Sequence, residues 1–356
     1  MAAVWLTGHG GLDRLEYRTD VPVPVPASGQ VLVRVLAAGV NNTDINTRTG
    51  WYSKSVSSGT GEGSDGFGVP DDGDGAWSGE PLAFPLIQGA DACGQVVAVG
   101  EGVDKRRVGD RVLIRALYRP DGAESPVAVL TYGSDSDGAF AQYTVCRSTD
   151  ALVVDSDWTD EELASLPCAY STAEGMLDRA SVAAERVLIT GASGGVGSAA
   201  IQLAKRRGAE VLAISQAAKA SELRGIGADT VLDRADDLID ALGEQSVDVV
   251  LDVVGGSGFP ALLDLLRPGG RYATVGAIAG PIVDLDLRTL YLKDLTLFGS
   301  TYQPDHVFEN LVKYVEADEI RPLVAGTYPL SAIAEAQDEF LSKRHTGKLV
   351  LIPPPD

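Results

Sequence analysis

Short apolar runs rich in β-branched residues recur through the second half of the chain, and segments with helical spacing separate them. The predicted strands are VLIT (187–190), EVLAIS (210–215), GADTVLD (227–233), DVVLDVV (248–254), RYATVG (271–276) and LTLFGS (295–300). Helices are predicted at AAIQLAKRRG (199–208), Lys219–Ile226 and Phe259–Leu266, the last ending at Pro268–Gly270. This alternation predicts an α/β fold with a doubly wound parallel sheet.

The first 150 residues show a β-rich pattern in which turn signals separate short strands. Strands are predicted at VLVRVLAAGV (31–40), GQVVAVG (94–100) and DRVLIRA (110–116), and the proline-rich VPVPVPASG (21–29) predicts a connector. The pattern becomes helical over EELASLPCAYSTAEGMLDRA (161–180). After Ser300 the chain is predicted to form a helix, a short strand, a second helix (331–344) and a final strand (347–353).

Residues 53–83 have no apolar periodicity, and glycine, serine and aspartate dominate them. Such a segment predicts a long loop. Two interpretations stay open, a surface insertion and a lid over an active site.

A glycine-rich turn follows the run VLIT and precedes a helical segment, in the sequence VLITGASGGVG (187–197). Small residues let the backbone N–H groups approach a phosphate, and the helix that follows directs its positive end toward the same place. The spacing fits AxGxxG and predicts a dinucleotide site, although an ordinary strand-to-helix turn gives the same pattern. The residues expected to bind the cofactor here are Ala192, Ser193, Gly194, Gly195, Val196 and Gly197.

The residues after the second strand indicate which nicotinamide cofactor is bound. A carboxylate at the end of this strand is typical of sites for NAD. This strand ends instead at Ser215, and Lys219 follows four positions later, so a hydroxyl and an ammonium are available for a 2′-phosphate. We therefore expect NADPH, with Arg234 adding charge; the alternative is that Lys219 is a solvated lysine. Further cofactor contacts are expected where strands end, at Val254, Gly255, Gly276, Phe298, Gly299 and Ser300.

Composition narrows the function classes. The net charge of −21 disfavours nucleic acid and anionic membranes as partners. Three widely spaced cysteines suggest a reducing compartment without disulfides, and no signal-peptide pattern is present at the start. We expect a cytoplasmic protein.

Six motifs in order carry a resemblance over the whole chain: AAGVNNTDINTRTGWY (37–52), FPLIQGADACGQVVAVG (84–100), VGDRV (108–112), LPCAYSTAEGML (166–177), GASGGVG (191–197) and HTGKLVL (345–351). The chain resembles the medium-chain dehydrogenase/reductase superfamily, and within it the zinc-independent quinone oxidoreductase and enoyl reductase branch. The resemblance implies a GroES-like catalytic domain at 1–153, completed by 301–356, and a Rossmann NADPH-binding domain at 154–300. It also implies a homodimer, or a tetramer of dimers, paired through LTLFGS.

The resemblance also implies a site without a metal. Zinc-dependent members hold their ion with a cysteine, a histidine and a second cysteine, and the matching positions here are Asn41, Ala90 and Cys168. An amide and a methyl group cannot replace the first two ligands. Tyr52 matches the proposed proton-donating tyrosine of mitochondrial enoyl thioester reductases, with packing at the cleft edge as the alternative. Asn41 is expected near the nicotinamide ribose or the substrate carbonyl, Asp44 as a cap, and Thr172 near the nicotinamide.

Without a Lewis acid, hydride transfer favours a substrate that is already activated. We therefore expect an NADPH-dependent reductase of a C=C bond in an enone, an enal or an enoyl thioester. A quinone presents the same acceptor pattern, so a quinone reductase is the alternative. A third possibility is a nucleotide-binding regulatory or structural protein without turnover.

Overall fold

The computed structural model describes residues 1–68 and 81–355, in two compact units. The β-rich unit consists of Met1–Val56, Gly63–Ala169 and Phe308–Asp356. The parallel-sheet unit consists of Ser57–Glu62 and Tyr170–Val307. The chain passes between the two units at residues 169–170 and again at residues 307–308, and both points lie inside helices. Residues 154–169, expected in the Rossmann domain, cluster with the β-rich unit.

The β-rich unit is built around one large, mainly antiparallel sheet. The strands of the whole unit are β1 (Ala3–Leu6), β2 (Leu15–Arg18), β3 (Gln30–Gly39), β4 (Leu86–Ile87), β5 (Cys93–Val99), β6 (Arg111–Ile114), β7 (Leu117–Tyr118), β8 (Leu130–Thr131), β9 (Tyr143–Arg147), β10 (Ala151–Val153), β17 (Val324–Pro329) and β18 (Lys348–Ile352). The order in the large sheet is β10-β6-β5-β3-β18-β17, with β9 also paired to β3. Val31, Val33 and Val35 alternate along β3 and are buried in the core of this unit, as a strand with period two requires.

The last strand returns the C-terminal segment to the centre of this sheet. β18 runs antiparallel to β3, with Val350 opposite Gly39 and Leu351 opposite Ala38. This register brings Lys348, at the start of β18, to the end of β3. Residues more than 300 positions apart therefore meet there.

The parallel-sheet unit contains the six predicted strands. They are β11 (Arg186–Ile189), β12 (Glu210–Ser215), β13 (Thr230–Asp233), β14 (Val247–Asp252), β15 (Leu266–Thr274) and β16 (Thr296–Gly299). Their order is β13-β12-β11-β14-β15-β16, and every neighbouring pair is parallel. This is the doubly wound order of a Rossmann fold. The predicted fold class is confirmed.

Helices flank both sheets. They are α1 (Asn42–Thr49), α2 (Asp160–Leu163), α3 (Pro167–Arg179), α4 (Gly195–Arg206), α5 (Ala220–Gly225), α6 (Leu238–Leu242), α7 (Phe259–Leu265), α8 (Leu287–Leu292), α9 (Asp305–Glu316) and α10 (Ile333–Ser342). The sequence pattern did not predict α1, α6 or α8. Pro268–Gly270 was expected to end α7, but it lies within β15, where the pairing with β14 skips from Leu266 to Arg271. In the described part of the chain, no helix combines the length and apolar character needed to cross a membrane.

Candidate functional site

The glycine-rich turn connects β11 to the N-terminus of α4. Gly191 has a φ of +58°, a conformation that favours glycine. A Cβ on Gly197 would lie 2.3 Å from the Gly191 carbonyl oxygen, so only glycine lets α4 pack this close to the turn. Gly194 differs, because a Cβ there would meet only one atom, at 3.5 Å. Packing does not require glycine at Gly194, whereas close approach of a ligand to the backbone would.

The positions predicted to select the cofactor come together at the ends of β12 and β13. Ser215 is buried, and its Oγ has no hydrogen-bond partner among residues 1–68 and 81–355. The Lys219 ammonium lies 3.4 Å from Ser193 Oγ on the glycine turn, and the Arg234 backbone N–H donates to the Ser215 carbonyl. Burial lowers the pKa of Lys219, and the charge of Arg234 lowers it further, whereas Glu222 opposes both. A buried hydroxyl and two cationic residues whose charges act on each other, grouped at these strand ends, fit a phosphorylated ribose.

One carboxylate that sequence reasoning missed holds three neighbouring strand ends together. Asp252 is fully buried at the end of β14. It accepts hydrogen bonds from the hydroxyls of Thr190 and Tyr272, at 2.5 Å each, and from the N–H groups of Val254 and Gly255 at 2.8 and 3.2 Å. Asp252 therefore fixes the Val254–Gly255 backbone, predicted to bind the cofactor, against the strand that leads into the glycine turn.

The other predicted cofactor residues lie on the same sheet or on α3. Thr172 is buried in α3, and Gly276 follows β15 with its carbonyl accepting from the Thr274 hydroxyl at 3.2 Å. Phe298 and Gly299 belong to β16, and Ser300 follows it, with its N–H donating to the Thr274 carbonyl at 2.9 Å. Gly276 and Ser300 thus lie close together at the carboxyl ends of β15 and β16. Parallel sheets of this kind bind ligands at the carboxyl ends of their strands.

The long loop after Tyr52 is anchored at its start. The segment Ser57–Glu62 clusters with the parallel-sheet unit, and the Thr60 N–H donates to the Ile278 carbonyl at 3.0 Å. A Cβ on Gly59 would lie 2.6 Å from the same oxygen. This part of the loop is therefore closely packed and is not a free surface insertion. Residues 69–80, also part of the predicted loop, lie outside the described residues.

Four buried polar side chains of the β-rich unit form a connected group, which we name the Asn41 cluster: Asn41, Asp44, Asp91 and Lys348. The Lys348 ammonium donates to Asn41 Oδ1 at 2.6 Å, to Asp91 Oδ2 at 2.8 Å and to the Val40 carbonyl at 2.8 Å. Asn41 Nδ2 donates to Asp91 Oδ2 at 2.7 Å and to the Gly39 carbonyl at 3.3 Å. Sequence reasoning missed Lys348 and Asp91 as site residues.

The hydrogen bonds of the cluster limit what the Asn41 side chain can offer to a substrate. Both hydrogens of its carboxamide are used inside the unit, so a hydrogen bond from Asn41 to a substrate carbonyl would require one of these bonds to break. Asp44 behaves as expected: its Oδ2 accepts from the Asn41 N–H at 2.7 Å in a capping box at the start of α1. Burial raises the pKa of Asp44 to about 7 and the Asp91 charge adds to the rise, whereas the hydrogen bond from Asn41 and the Lys348 charge oppose it.

Tyr52 follows α1 in sequence, and its hydroxyl contacts the first turn of that helix. Gly50 ends α1 with a φ of +76°, and this left-handed cap reverses the chain. The half-buried Tyr52 then donates its hydroxyl hydrogen to Thr43 Oγ1 at 3.2 Å, and its ring lies edge-on to Trp51. Thr43 is in the first turn of α1, two residues after Asn41. The phenol therefore has a defined orientation close to the Asn41 cluster.

A zinc site does not fit the residues at the positions where zinc-dependent relatives bind the ion. Asn41 Oδ1 already accepts from the Lys348 ammonium, and Ala90 has no donor atom. Cys168 is half-buried, and its backbone N–H donates to Asp91 at 2.6 Å. Across residues 1–68 and 81–355, no three His, Cys, Asp or Glu side chains are grouped so as to hold a metal ion.

Comparison with protein-family models agrees with this architecture. The model described as an alcohol dehydrogenase GroES-like domain matches residues 27–156, and the model described as a zinc-binding dehydrogenase matches residues 195–317. The chain belongs to the medium-chain dehydrogenase/reductase superfamily, as its motifs predicted.

Individual relatives cover nearly the whole chain. The acryloyl-coenzyme A reductase of Metallosphaera sedula is 30% identical over 99% of both chains. The quinone oxidoreductase of Lama guanicoe is 28% identical over 99% of this chain and 98% of its own. The crystal structure of a putative alcohol dehydrogenase from Sinorhizobium meliloti 1021 has a TM-score of 0.90 and 47% identity, and the match covers 99% of this chain and 97% of that one. The protein is therefore an oxidoreductase of this superfamily.

Proposed function

We propose that the protein uses NADPH, without a metal, to reduce a C=C bond conjugated to a carbonyl group. The observation that carries this proposal is the Lys348–Asn41 hydrogen bond of 2.6 Å. It occupies the amide oxygen of Asn41, the residue at the position where zinc-dependent relatives have their first zinc ligand. A reductase without a Lewis acid needs a substrate that activates itself, and a conjugated alkene does so.

The cofactor part of the proposal rests on the parallel-sheet unit. The glycine turn leaves room for a pyrophosphate at Gly194, and the N-terminus of α4, whose N-cap residue Gly194 has no side chain to cap it, supplies N–H groups. For a 2′-phosphate, Ser215 supplies a hydroxyl that has no partner in the described part of the chain, and Lys219 and Arg234 supply two cations. When bound, NADPH supplies the hydride that adds to the β-carbon of the substrate.

Tyr52 is the residue that we propose as proton donor. Hydride addition leaves negative charge on the substrate oxygen, and a phenol can donate a hydrogen bond to that oxygen and a proton to the α-carbon, directly or through water. Its hydrogen bond to Thr43 keeps the hydroxyl oriented before a substrate arrives. Asn41 contributes by fixing the first turn of α1.

The relatives favour two acceptors. The acryloyl-coenzyme A reductase of Metallosphaera sedula supports an enoyl thioester, and the quinone oxidoreductase of Lama guanicoe supports a quinone as the alternative. The experiment is to measure NADPH oxidation with an enone, an enoyl thioester and a quinone. Turnover of the alkenes supports the first proposal, turnover of the quinone alone supports the second, and binding without any turnover would leave a nucleotide-binding protein.

We also propose that the protein forms a homodimer, or a tetramer of such dimers, through the edge of the parallel sheet. β16 is the terminal strand of this sheet and pairs with β15 on one side. Exposed apolar side chains lie in helix α8, which precedes β16, and in the segment before that helix. The exposed fraction is 73% for Ile282, 63% for Leu287 and 72% for Leu292. A second copy is the partner that fits, because edge strands related by a two-fold axis pair with themselves.

A further inference from the structure

Lys348 is a buried cation that the proposed reaction does not use. Only 3% of its side chain is exposed, and none of the Asp91 side chain is. Its ammonium carries three hydrogens and meets three acceptors, the oxygens of Val40, Asn41 and Asp91, at 2.6–2.8 Å. A buried charge with this complete set of partners is fixed in place, because each alternative position would leave a donor without an acceptor or the Asp91 carboxylate without its counter-charge.

The ammonium also fixes the orientation of the Asn41 carboxamide. Asn41 Oδ1 faces Lys348, and Nδ2 faces Asp91 and the Gly39 carbonyl. A flipped amide would place its NH₂ group against the ammonium and its oxygen against the Asp91 carboxylate. Both contacts would be repulsive, so Lys348 and Asp91 together allow one orientation.

This orientation extends into the first turn of α1. Asn41 is the N-cap residue of the helix, and its own N–H is held by Asp44 at 2.7 Å. Thr43, within the same turn, accepts the hydrogen bond of Tyr52. Lys348 is thus linked by a hydrogen bond to Asn41, and Asn41 is linked through the backbone of the same helix turn to Thr43, the residue that orients the phenol.

We propose that Lys348 is a positioning residue of the active site: its ammonium is the fixed internal cation that locks Asn41, and with it the turn of α1 that orients Tyr52. In this protein a lysine organises the place where zinc-dependent relatives use a metal ion. The effect on turnover rests on the proposed function, whereas the effect on the Asn41 amide does not.

A simpler role for Lys348 would be to neutralise Asp91. The paired variant Lys348→Met/Asp91→Asn separates the two roles, because it removes both charges and leaves no buried carboxylate without a partner. If neutralisation were the whole role, this variant would behave as the wild type, because the amide oxygen introduced by Asp91→Asn can still accept from Asn41 Nδ2. If Lys348 positions Asn41, the paired variant will fold but lose the fixed amide. Lys105→Met removes the same charge from an exposed turn and is the matched control.

The first measurement is hydrogen exchange of the Asn41 side-chain amide in protein labelled with ¹⁵N-asparagine. We expect slow exchange in the wild type and in Lys105→Met, and exchange at least tenfold faster in Lys348→Met and in the paired variant. This readout does not depend on turnover. If no acceptor is reduced by the wild type, the proposed function fails, and the exchange rates alone decide the role of Lys348.

The second measurement is kcat, with the NADPH dissociation constant as reference. We expect kcat to fall at least tenfold in Lys348→Met and in the paired variant, with NADPH affinity within threefold of wild type. Asn41→Ala/Lys348→Met should be no slower than Asn41→Ala, because Lys348 acts through Asn41. Wild-type kcat in the paired variant, or unchanged exchange of the Asn41 hydrogens, would overturn the proposal.

Discussion

The Lys219 ammonium lies 3.4 Å from the Ser193 hydroxyl, so the cation that follows β12 reaches the glycine turn that follows β11. These two residues are 26 positions apart in sequence. Their contact connects the glycine turn, which we propose binds the pyrophosphate, with the end of β12, which we propose binds the 2′-phosphate. The proposed preference for NADPH therefore depends on a single small region.

Lys219→Ala should remove most of the preference for NADPH. We expect the wild type to bind NADPH at least tenfold more tightly than NADH, a difference of about 1.4 kcal/mol. The variant loses the charge that faces the 2′-phosphate and should approach equal affinities. Isothermal titration with both cofactors measures this, and Lys313→Ala, on the exposed side of α9, is the control. Equal affinities in the wild type would contradict the cofactor assignment.

Tyr52→Phe should lower kcat by roughly 10²-fold, because the ring stays and only the proton-donating hydroxyl is lost. NADPH affinity and the unfolding midpoint should change little, since the half-buried ring and its edge-on contact with Trp51 are retained. Steady-state kinetics at saturating cofactor make the measurement. Tyr17→Phe, at an exposed position of β2, controls for the loss of a phenol. An unaffected kcat in Tyr52→Phe would identify water as the proton source.

Asp44 should make stability fall as pH rises. Burial raises its pKa to about 7 in the folded protein, above the unfolded value of about 4, so the folded state binds the proton more strongly. Its contribution is complete below pH 4 and is lost progressively up to pH 7, by at most about 1.4 kcal/mol per pH unit. Urea unfolding from pH 4.5 to 7.5 should show that Asp44→Asn gains on the wild type as pH rises. A constant difference across this range, as expected for exposed Asp157→Asn, would contradict it.

Charges placed on the exposed face of α8 should break the assembly. Light scattering at micromolar concentration should give at least a dimeric mass for the wild type. Leu287→Asp/Leu292→Asp should shift it toward the monomer, because carboxylates would be buried in the interface without partners. Val25→Asp, at an exposed site of the β-rich unit, should leave the mass unchanged. A monomeric wild type would refute the edge-pairing proposal.

The parallel-sheet unit could be predicted because its signals are local. Buried parallel strands are apolar along their whole length, and the glycine turn sits between such a strand and a helix. A local signal also produced the wrong prediction at Pro268–Gly270. A proline followed by two glycines is typical of a helix end, but here these residues form an irregularity inside β15.

The missed features depend on distant or polar contacts. α1 has the sequence NTDINTRT, and its polar residues Asp44, Asn46, Thr47, Arg48 and Thr49 are buried, so no apolar stripe marks it as a helix. Lys348 lies 257 residues from Asp91, and nothing local at either position indicates the pair. Asp252 ends a strand as many surface aspartates do, and only the fold shows that four groups donate to it.

The most direct test of the proposed function is turnover by protein that has been treated with a chelator and assayed for metal. We predict less than about 0.1 zinc per chain, and undiminished oxidation of NADPH with an enone or an enoyl thioester, because Asn41 and Ala90 cannot ligate the ion. The product should carry deuterium at the β-carbon when deuterated NADPH is the donor. About one zinc per chain, together with activity lost to the chelator and restored by zinc, would contradict the account.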